Sequence, residues 1–207
     1  MISVPATNSL QCAGAQCQTG RRVRLSPFVA LVIAWLVIGA SCLNAQQSSP
    51  TENQVKSAYL YNFGKFVEWP AKGTTGDEFF TFCVLGDDSF ASTLETTIAG
   101  ERINGKKVLV KRVAKPQDAV SCRILFISSS EQNQLKEILA ALDNTSVLTV
   151  SDTPQFTRRG GMIQFVVEAN KVRFEVNLTS AERAGLTLSS QLLKVAINVK
   201  RSAPSGD

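Results

Sequence analysis

Short apolar runs that alternate with helix-like segments constrain the fold of this chain more than any other feature of its sequence. Thr81–Leu85, Arg123–Ser128 and Val147–Val150 are unbroken strand patterns, each followed by Gly, Asp or Ser, and Lys107–Val113 follows a turn at Asn104-Gly105. Runs without polar alternation are typical of parallel strands buried on both faces, with helices as crossovers. The pattern predicts an α/β domain with a mostly parallel sheet and helices on both faces.

The helix patterns fall between these strands and after them. Each contains apolar residues spaced for one helical face and is bounded by residues that cap or break helices. The predicted helices are Phe90–Ala99, the short Pro116–Val120, Glu131–Leu142, and a last helix from Ser180 or Ser189 to Val199.

A C-terminal hairpin is predicted after Gly160-Gly161. Met162–Val167 and Val172–Asn177 are strand patterns joined by a tight turn, so the sheet becomes mixed, with an antiparallel pair. The charges of this hairpin alternate with apolar residues and indicate one solvated face, for which a partner-contact surface is the functional alternative. The charged residues are Glu168, Lys171, Arg173 and Glu175.

An aromatic-rich helix is predicted to open the domain, within Val55–Pro70. Ser49 is its predicted N-cap, with Glu52 completing a capping box, and Pro70 its predicted end. One interpretation is a core helix docked on the sheet; the other is that its ends or exposed aromatic residues also contact a partner. Its predicted inward face consists of Val55, Tyr59, Leu60, Phe63, Phe66 and Val67.

The first 45 residues predict an export signal rather than part of the fold. A cluster of arginines at 21, 22 and 24 precedes the apolar run Phe28–Ala40, which is too short to span a bilayer comfortably, and Leu43-Asn44-Ala45 is a plausible cleavage site. A lipoprotein lipidated at Cys42 and an uncleaved anchor are the alternatives. We predict a signal peptide over 1–45, a single domain over 46–201 and a disordered tail over 202–207.

Composition weighs against several classes of function. The chain contains no histidine, which removes histidine-based triads, most zinc sites and the commonest general base. No catalytic residue, metal or cofactor is therefore predicted. Three of the 22 basic residues and none of the 17 acidic residues precede Gln46, so the exported chain carries a charge of 19 − 17 = +2. Without a basic run, nucleic-acid binding is not expected.

Two cysteines follow the predicted leader, Cys83 within the first strand and Cys122 just before the third. In the common strand order 2-1-3-4 these strands are neighbours, which brings the two Cα atoms within bonding reach in a compartment that permits disulfides. A structural disulfide is expected, and two buried free thiols are the alternative.

Polar residues follow the predicted parallel strands, at the edge of the sheet where ligands of α/β domains bind. Helix capping and turn formation explain Ser and Asp at such positions, and a weak cation or small-ligand site is the alternative. These residues are Asp87, Asp88, Ser128, Ser129, Ser130, Ser151 and Asp152.

Several of these motifs, in this order, resemble the YfiR family. The resemblance runs from about Val55 to Ile197, nearly the whole predicted domain. It is carried by the segments Val55–Pro70, Phe82–Asp88, Cys122–Ser130, Val147–Asp152, Arg159–Ile163 and Val172–Leu178.

The resemblance implies a periplasmic α/β protein, often a homodimer, that represses an inner-membrane diguanylate cyclase through its periplasmic sensor domain. Release of the cyclase raises cyclic di-GMP and favours biofilm, and an outer-membrane lipoprotein is a possible further partner that sequesters the repressor. A solute- or envelope-binding module of another system is the alternative function.

The resemblance also bears on individual residues. Cys83 and Cys122 match family positions where a disulfide is expected, whereas the second cysteine pair of some members is missing from this chain. For partner binding, our candidates are Arg173 and Glu175 on the hairpin, then Phe66 and Trp69 at the end of the first helix.

Overall fold

The structure is a computed structural model that describes residues 49–70 and 78–201. The predicted signal peptide over 1–45, with its cleavage site and Cys42, lies outside the described residues, as does the predicted tail over 202–207. The helices and strands of the described part are, in chain order, α1 Glu52–Phe66, β1 Val67–Glu68, β2 Phe79–Leu85, α2 Asp88–Thr97, β3 Arg102–Ile103, β4 Lys106–Val113, β5 Ile124–Ile127, α3 Leu135–Ala141, β6 Leu148–Ser151, β7 Ile163–Glu168, β8 Lys171–Asn177, α4 Leu178–Arg183, β9 Thr187–Leu188, α5 Ser190–Val195 and β10 Asn198–Lys200. Single turns of 3-10 helix lie at Pro116–Ala119 and Ser129–Glu131.

One mixed sheet organises the described residues, in the order β10-β8-β7-β6-β5-β2-β4-β3. Strands β4, β2, β5, β6 and β7 run parallel to one another, β10 runs parallel to β8, and the pairs β3–β4 and β7–β8 are antiparallel. The prediction of a mostly parallel α/β sheet with an antiparallel hairpin is confirmed. The four predicted parallel strands lie in the order 2-1-3-4, as β4, β2, β5 and β6.

Apolar cores lie on both faces of this sheet. The larger core joins one face to α1, α2, α4 and α5, and its largest fully buried side chains include Phe63, Phe82, Phe90 and Phe174. The smaller core lies on the other face, where Leu135 and Ile138 of α3 cover Leu125 and Ile127 of β5. Burial on both faces explains why the central strands have no polar alternation.

The first helix begins and ends at residues other than those predicted. Its N-cap is Thr51, which forms a capping box with Gln54, so the prediction of Ser49 and Glu52 was wrong. The helix ends at Phe66, four residues before Pro70, because Val67 and Glu68 pair with Leu188 and Thr187 as a small antiparallel ribbon. Those backbone groups are satisfied by β9 instead of by another helical turn.

The buried face of α1 also differs from the predicted one. Lys56, Ser57, Leu60, Phe63 and Gly64 are its buried residues. The predicted inward residues Val55, Tyr59 and Phe66 are only partly buried. A Cβ atom on Gly64 would lie 2.5 Å from Ile103 Cδ1, so the glycine allows the helix to approach the sheet closely.

The C-terminal region contains two short helices where one was predicted. Asn177 Oδ1 accepts a hydrogen bond from the Ser180 N–H at 3.1 Å to cap α4, and Ser189 Oγ accepts from the Leu192 N–H at 3.3 Å to cap α5. The chain then leaves the helix because Asn198–Lys200 pair with the open edge of β8. Ile197, which the predicted helix included, lies beyond the end of α5 and is 40% exposed.

Two further helices are shorter than predicted. The helix predicted over Glu131–Leu142 begins only at Leu135, after a separate turn of 3-10 helix. Pro116–Ala119 is likewise a single 3-10 turn rather than an α-helix.

Candidate functional site

Polar residues at the carboxyl ends of the strands are engaged in caps and turns. Asp87 Oδ1 accepts a hydrogen bond from the Ser89 N–H at 2.7 Å, and Ser128 Oγ accepts from the Ser130 N–H at 3.3 Å. The buried Ser151 hydroxyl donates to Thr153 Oγ1 at 2.9 Å. Within residues 49–70 and 78–201, no three His, Cys, Asp or Glu side chains come together as a metal site. These contacts favour the structural interpretation of this edge.

A buried lysine forms the least expected polar cluster of the fold. Lys56 is 4% exposed, yet its ammonium lies 2.7 Å from Asp152 Oδ2 and 2.7 Å from Glu52 Oε1. Burial acts to lower the pKa of Lys56, but the bonds to Asp152 and Glu52 outweigh burial and raise that pKa above its ordinary value. Asp152 follows β6, so the pair joins α1 to the carboxyl end of the sheet.

We expect this cluster to make stability fall in alkali. Because the pKa of Lys56 is raised in the folded protein, its contribution is present below the ordinary pKa of 10.5 and is lost as the pH rises through the folded pKa. Urea unfolding followed across that range should show a smaller alkaline loss of unfolding free energy in Lys56→Met than in the unmodified protein.

Tyr61 also needs a control in this measurement of alkaline stability. The Glu101 carboxylate accepts a hydrogen bond from the Tyr61 hydroxyl at 2.7 Å and raises the pKa of Tyr61, so this tyrosine also titrates in alkali. Tyr61→Phe separates the two contributions. An alkaline loss in Lys56→Met as large as in the unmodified protein would contradict the assignment.

A groove of about 590 Å³ lies between the N-terminal half of α1 and the tip of the β7–β8 hairpin. Its floor is apolar, formed by Val55, Tyr59, Val167 and Val172, and Val167 is 53% exposed. The groove therefore leaves apolar side chains of both α1 and the hairpin partly open to solvent.

Aromatic packing and the geometry of the hairpin turn fix the positions of the residues that line this groove. The Tyr59 ring packs edge-on against Phe174 with centroids 5.4 Å apart and lies 6.1 Å from Phe63. Ala169 and Asn170 have positive φ values of 47° and 58°, as a two-residue hairpin turn of the primed type requires. Charged residues at the rim of the groove are Glu52, Lys171 and Arg173.

The four partner-binding candidates do not lie together. Arg173 is exposed and lines the groove. Glu175 is only partly exposed, because β8 has β7 on one side and β10 on the other at this point, and the Thr157 hydroxyl donates to its carboxylate at 3.4 Å. The predicted solvated face of the hairpin is therefore exposed at Arg173 and only partly exposed at Glu175.

Phe66 and Trp69 lie at the opposite end of α1 from the groove. Both are partly buried and pack against the larger core, and Trp69 meets Phe80 edge-on with ring centroids 5.3 Å apart. Each keeps part of its surface exposed, and partner binding by this end of the helix stays a prediction.

Cys83 and Cys122 form a disulfide, with Cα atoms 6.0 Å apart. Both residues are buried in the smaller core, where the bridge joins the middle of β2 to the segment that enters β5. None of the helices in the described part of the chain is both long and apolar enough to cross a bilayer.

Comparisons with known proteins agree with this fold. Ten solved chains match. One is the crystal structure of a conserved domain protein from Vibrio cholerae O1 biovar El Tor, with a TM-score of 0.55 and 12% identity over 74% of this chain and 62% of that one. The chain thus spans less than two thirds of that relative, and at this identity the likeness concerns the fold alone.

A second solved structure, the ABC domain in complex with L-Trp from Streptococcus pneumoniae, has a TM-score of 0.45 and 13% identity over 58% of this chain and 55% of that one. This likeness is too weak to bear on the fold.

A family model described as YfiR/HmsC-like matches residues 53–197, well over half of the sequence. The chain therefore belongs to the YfiR/HmsC-like family.

Proposed function

We propose that this protein binds the periplasmic sensor domain of an inner-membrane diguanylate cyclase and represses the cyclase by contact, without catalysis. The match to the YfiR/HmsC-like family over residues 53–197 is the observation that carries the proposal. Repression lowers cyclic di-GMP and disfavours biofilm. The family resemblance also leads us to propose a homodimer and an outer-membrane lipoprotein that competes for the repressor.

The groove between α1 and the hairpin is the surface we assign to this contact. Energetically dominant interface residues lie in rigid apolar pockets surrounded by polar rims. Val55, Tyr59, Val167 and Val172 supply the apolar floor, and Arg173 supplies rim charge. Packing of Tyr59 against the aromatic core means that little side-chain freedom is lost on binding.

Arg173→Glu is the sharpest single change in this surface. Reversing a rim charge slows association and leaves folding nearly unchanged, because an exposed charge contributes little to stability. We expect roughly tenfold weaker binding to the sensor domain, measured by biolayer interferometry, with the thermal midpoint retained. Lys107→Glu is the matched control, since Lys107 is exposed on β4, across the sheet from the hairpin.

The test in cells uses the same pair of variants. Deletion of the gene should raise cyclic di-GMP; the unmodified gene and Lys107→Glu should restore the low level, and Arg173→Glu should not. Unchanged cyclic di-GMP after deletion, under several envelope stresses, would count against the regulatory function. Full complementation by Arg173→Glu would show that the groove is not part of the interface, without contradicting the regulatory function.

Glu175→Lys is a less selective test than the sequence indicated. The substitution removes the acceptor of the Thr157 hydroxyl and places an ammonium between β7 and β10, so we expect part of its effect to come from lost stability. Its thermal midpoint therefore has to be measured before any loss of binding is interpreted.

A further inference from the structure

We propose that a cavity of about 480 Å³ at the C-terminal end of α1 binds a small organic anion, a carboxylate or phosphate monoester with a short apolar group. The cavity is separate from the groove near Arg173, and the proposal does not rest on the regulatory function. Its volume lies within the range of about 300–1,000 Å³ that is usual for small-molecule sites.

Apolar side chains form one side of this cavity. Val67, Phe80 and Ile103 line it, with Trp69 set edge-on to Phe80. Gly64 brings α1 close to this wall, since a Cβ atom there would lie 3.1 Å from the Phe80 ring. The wall therefore suits a short alkyl or aryl group rather than a strongly hydrated ion.

Basic side chains from three separate elements line the same cavity. Lys65 comes from α1, Lys106 from β4 and Arg123 from the segment that enters β5, against one acidic residue, Glu68. Lys106 and Arg123 are half-buried and have other contacts, so the argument rests on their charge and placement. A net positive, partly enclosed cavity favours an anion, because its field is less screened than at an open surface.

The indole of Trp69, which lines the cavity, carries a hydrogen-bond donor without an acceptor. Its Nε1 atom is buried and has no hydrogen-bond partner among the residues that the structure describes. A buried donor without an acceptor is rare and unfavourable in a folded protein. Because Trp69 lines the cavity, a carboxylate or phosphate oxygen that reached this donor would satisfy it, which a purely apolar ligand cannot do.

The experiment follows the indole N–H of Trp69 by ¹⁵N–¹H NMR. The other tryptophan, Trp35, lies in the predicted signal peptide, so the exported protein should show one indole signal, and its loss in Trp69→Phe confirms the assignment. Hexanoate and hexyl phosphate are the anionic probes, 1-hexanol is the neutral probe of similar apolar length, and acetate and inorganic phosphate are the bare anions. We expect saturable shifts of the Trp69 signal with the two anionic amphiphiles and much weaker binding of the other three.

Two neighbouring lysines provide matched variants. Lys106→Gln removes a charge that lines the cavity, and we expect roughly tenfold weaker hexanoate binding, the loss of one charge-assisted contact. Lys107→Gln, on the opposite face of β4, should bind as the unmodified protein does. The proposal is overturned if neither amphiphile shifts the Trp69 signal, if 1-hexanol or a bare anion binds as tightly, or if both lysine variants lose affinity equally.

Discussion

Asp152→Ala is expected to lower the free energy of unfolding by about 3 kcal/mol, because it leaves the ammonium of Lys56 buried without its main partner. The side chains of Lys56 and Asp152 are 5% and 27% exposed, so water replaces little of the lost interaction. Glu52 still reaches the ammonium, which places the expected loss at the lower end of the range for broken buried pairs. Urea unfolding at neutral pH measures it.

The double variant Lys56→Met/Asp152→Ala separates pairing from burial. Replacing a buried ion pair by apolar side chains is often neutral, so the double variant should recover most of what the single variant loses. Glu52→Gln is the control and should change stability by at most about 1 kcal/mol, since the Glu52 side chain is half exposed. A double variant no more stable than Asp152→Ala would contradict this account.

The same pair bears on the proposed contact surface. Lys56 lies between Val55 and Tyr59 of the groove floor along α1, and its bond to Asp152 ties that part of the helix to the end of β6. Loss of the bond therefore affects the position of the groove floor as well as global stability. For this reason, variants of Lys56 and Asp152 are unsuited to mapping partner contacts, and rim residues such as Arg173 are better.

The strands were predictable because burial on both faces leaves a local signature. Phe82–Leu85 and Ile124–Ile127 are unbroken apolar runs, and the residues that follow them cap or turn the chain within a few positions, as Asp87 and Ser128 do. The turns were predictable because their backbone conformation favours particular residue types. Asn104 and Gly105 have φ values of 50° and 81°, a conformation that these two residue types adopt most readily.

The features that sequence reasoning missed depend on partners far along the chain. A lysine within an aromatic helix gives no sign that Asp152, 96 residues away, will hold it inside the protein. The end of α1 is set by pairing of Val67 with Leu188, and the last helix stops because Asn198 pairs with Glu175 at an open strand edge. Apolar periodicity reports local burial and cannot report these pairings.

The candidate site was predictable only in part. Alternating charges located Arg173, which lines the groove, but the same pattern placed Glu175 in solvent although β10 and Thr157 lie beside it. The apolar floor of the groove combines residues of α1 and the hairpin more than 100 positions apart, and no local pattern joins them. The cavity near Trp69 likewise combines residues of α1 and of strands β1 to β4 with Arg123, which are distant in sequence.

Removal of the disulfide is expected to have the other large effect. Cys83 and Cys122 are 39 residues apart, and in the chain-entropy account a bridge that closes such a loop stabilises the folded state by about 4 kcal/mol. Cys83→Ala/Cys122→Ala avoids leaving a reactive thiol, and we expect its unfolding free energy to be lower by about 2–5 kcal/mol under non-reducing conditions.

Reduction provides an independent check on the origin of this loss. If the bridge stabilises by constraining the unfolded chain, the fully reduced unmodified protein should unfold at nearly the same urea concentration as the double alanine variant, and reductant should have no effect on that variant. Because both cysteines are buried, the small cavities left by alanine add to the loss in the variant alone. A reduced protein as stable as the oxidised one, or two alkylatable thiols in the freshly isolated native protein, would show that the bridge is not a structural constraint in the native molecule.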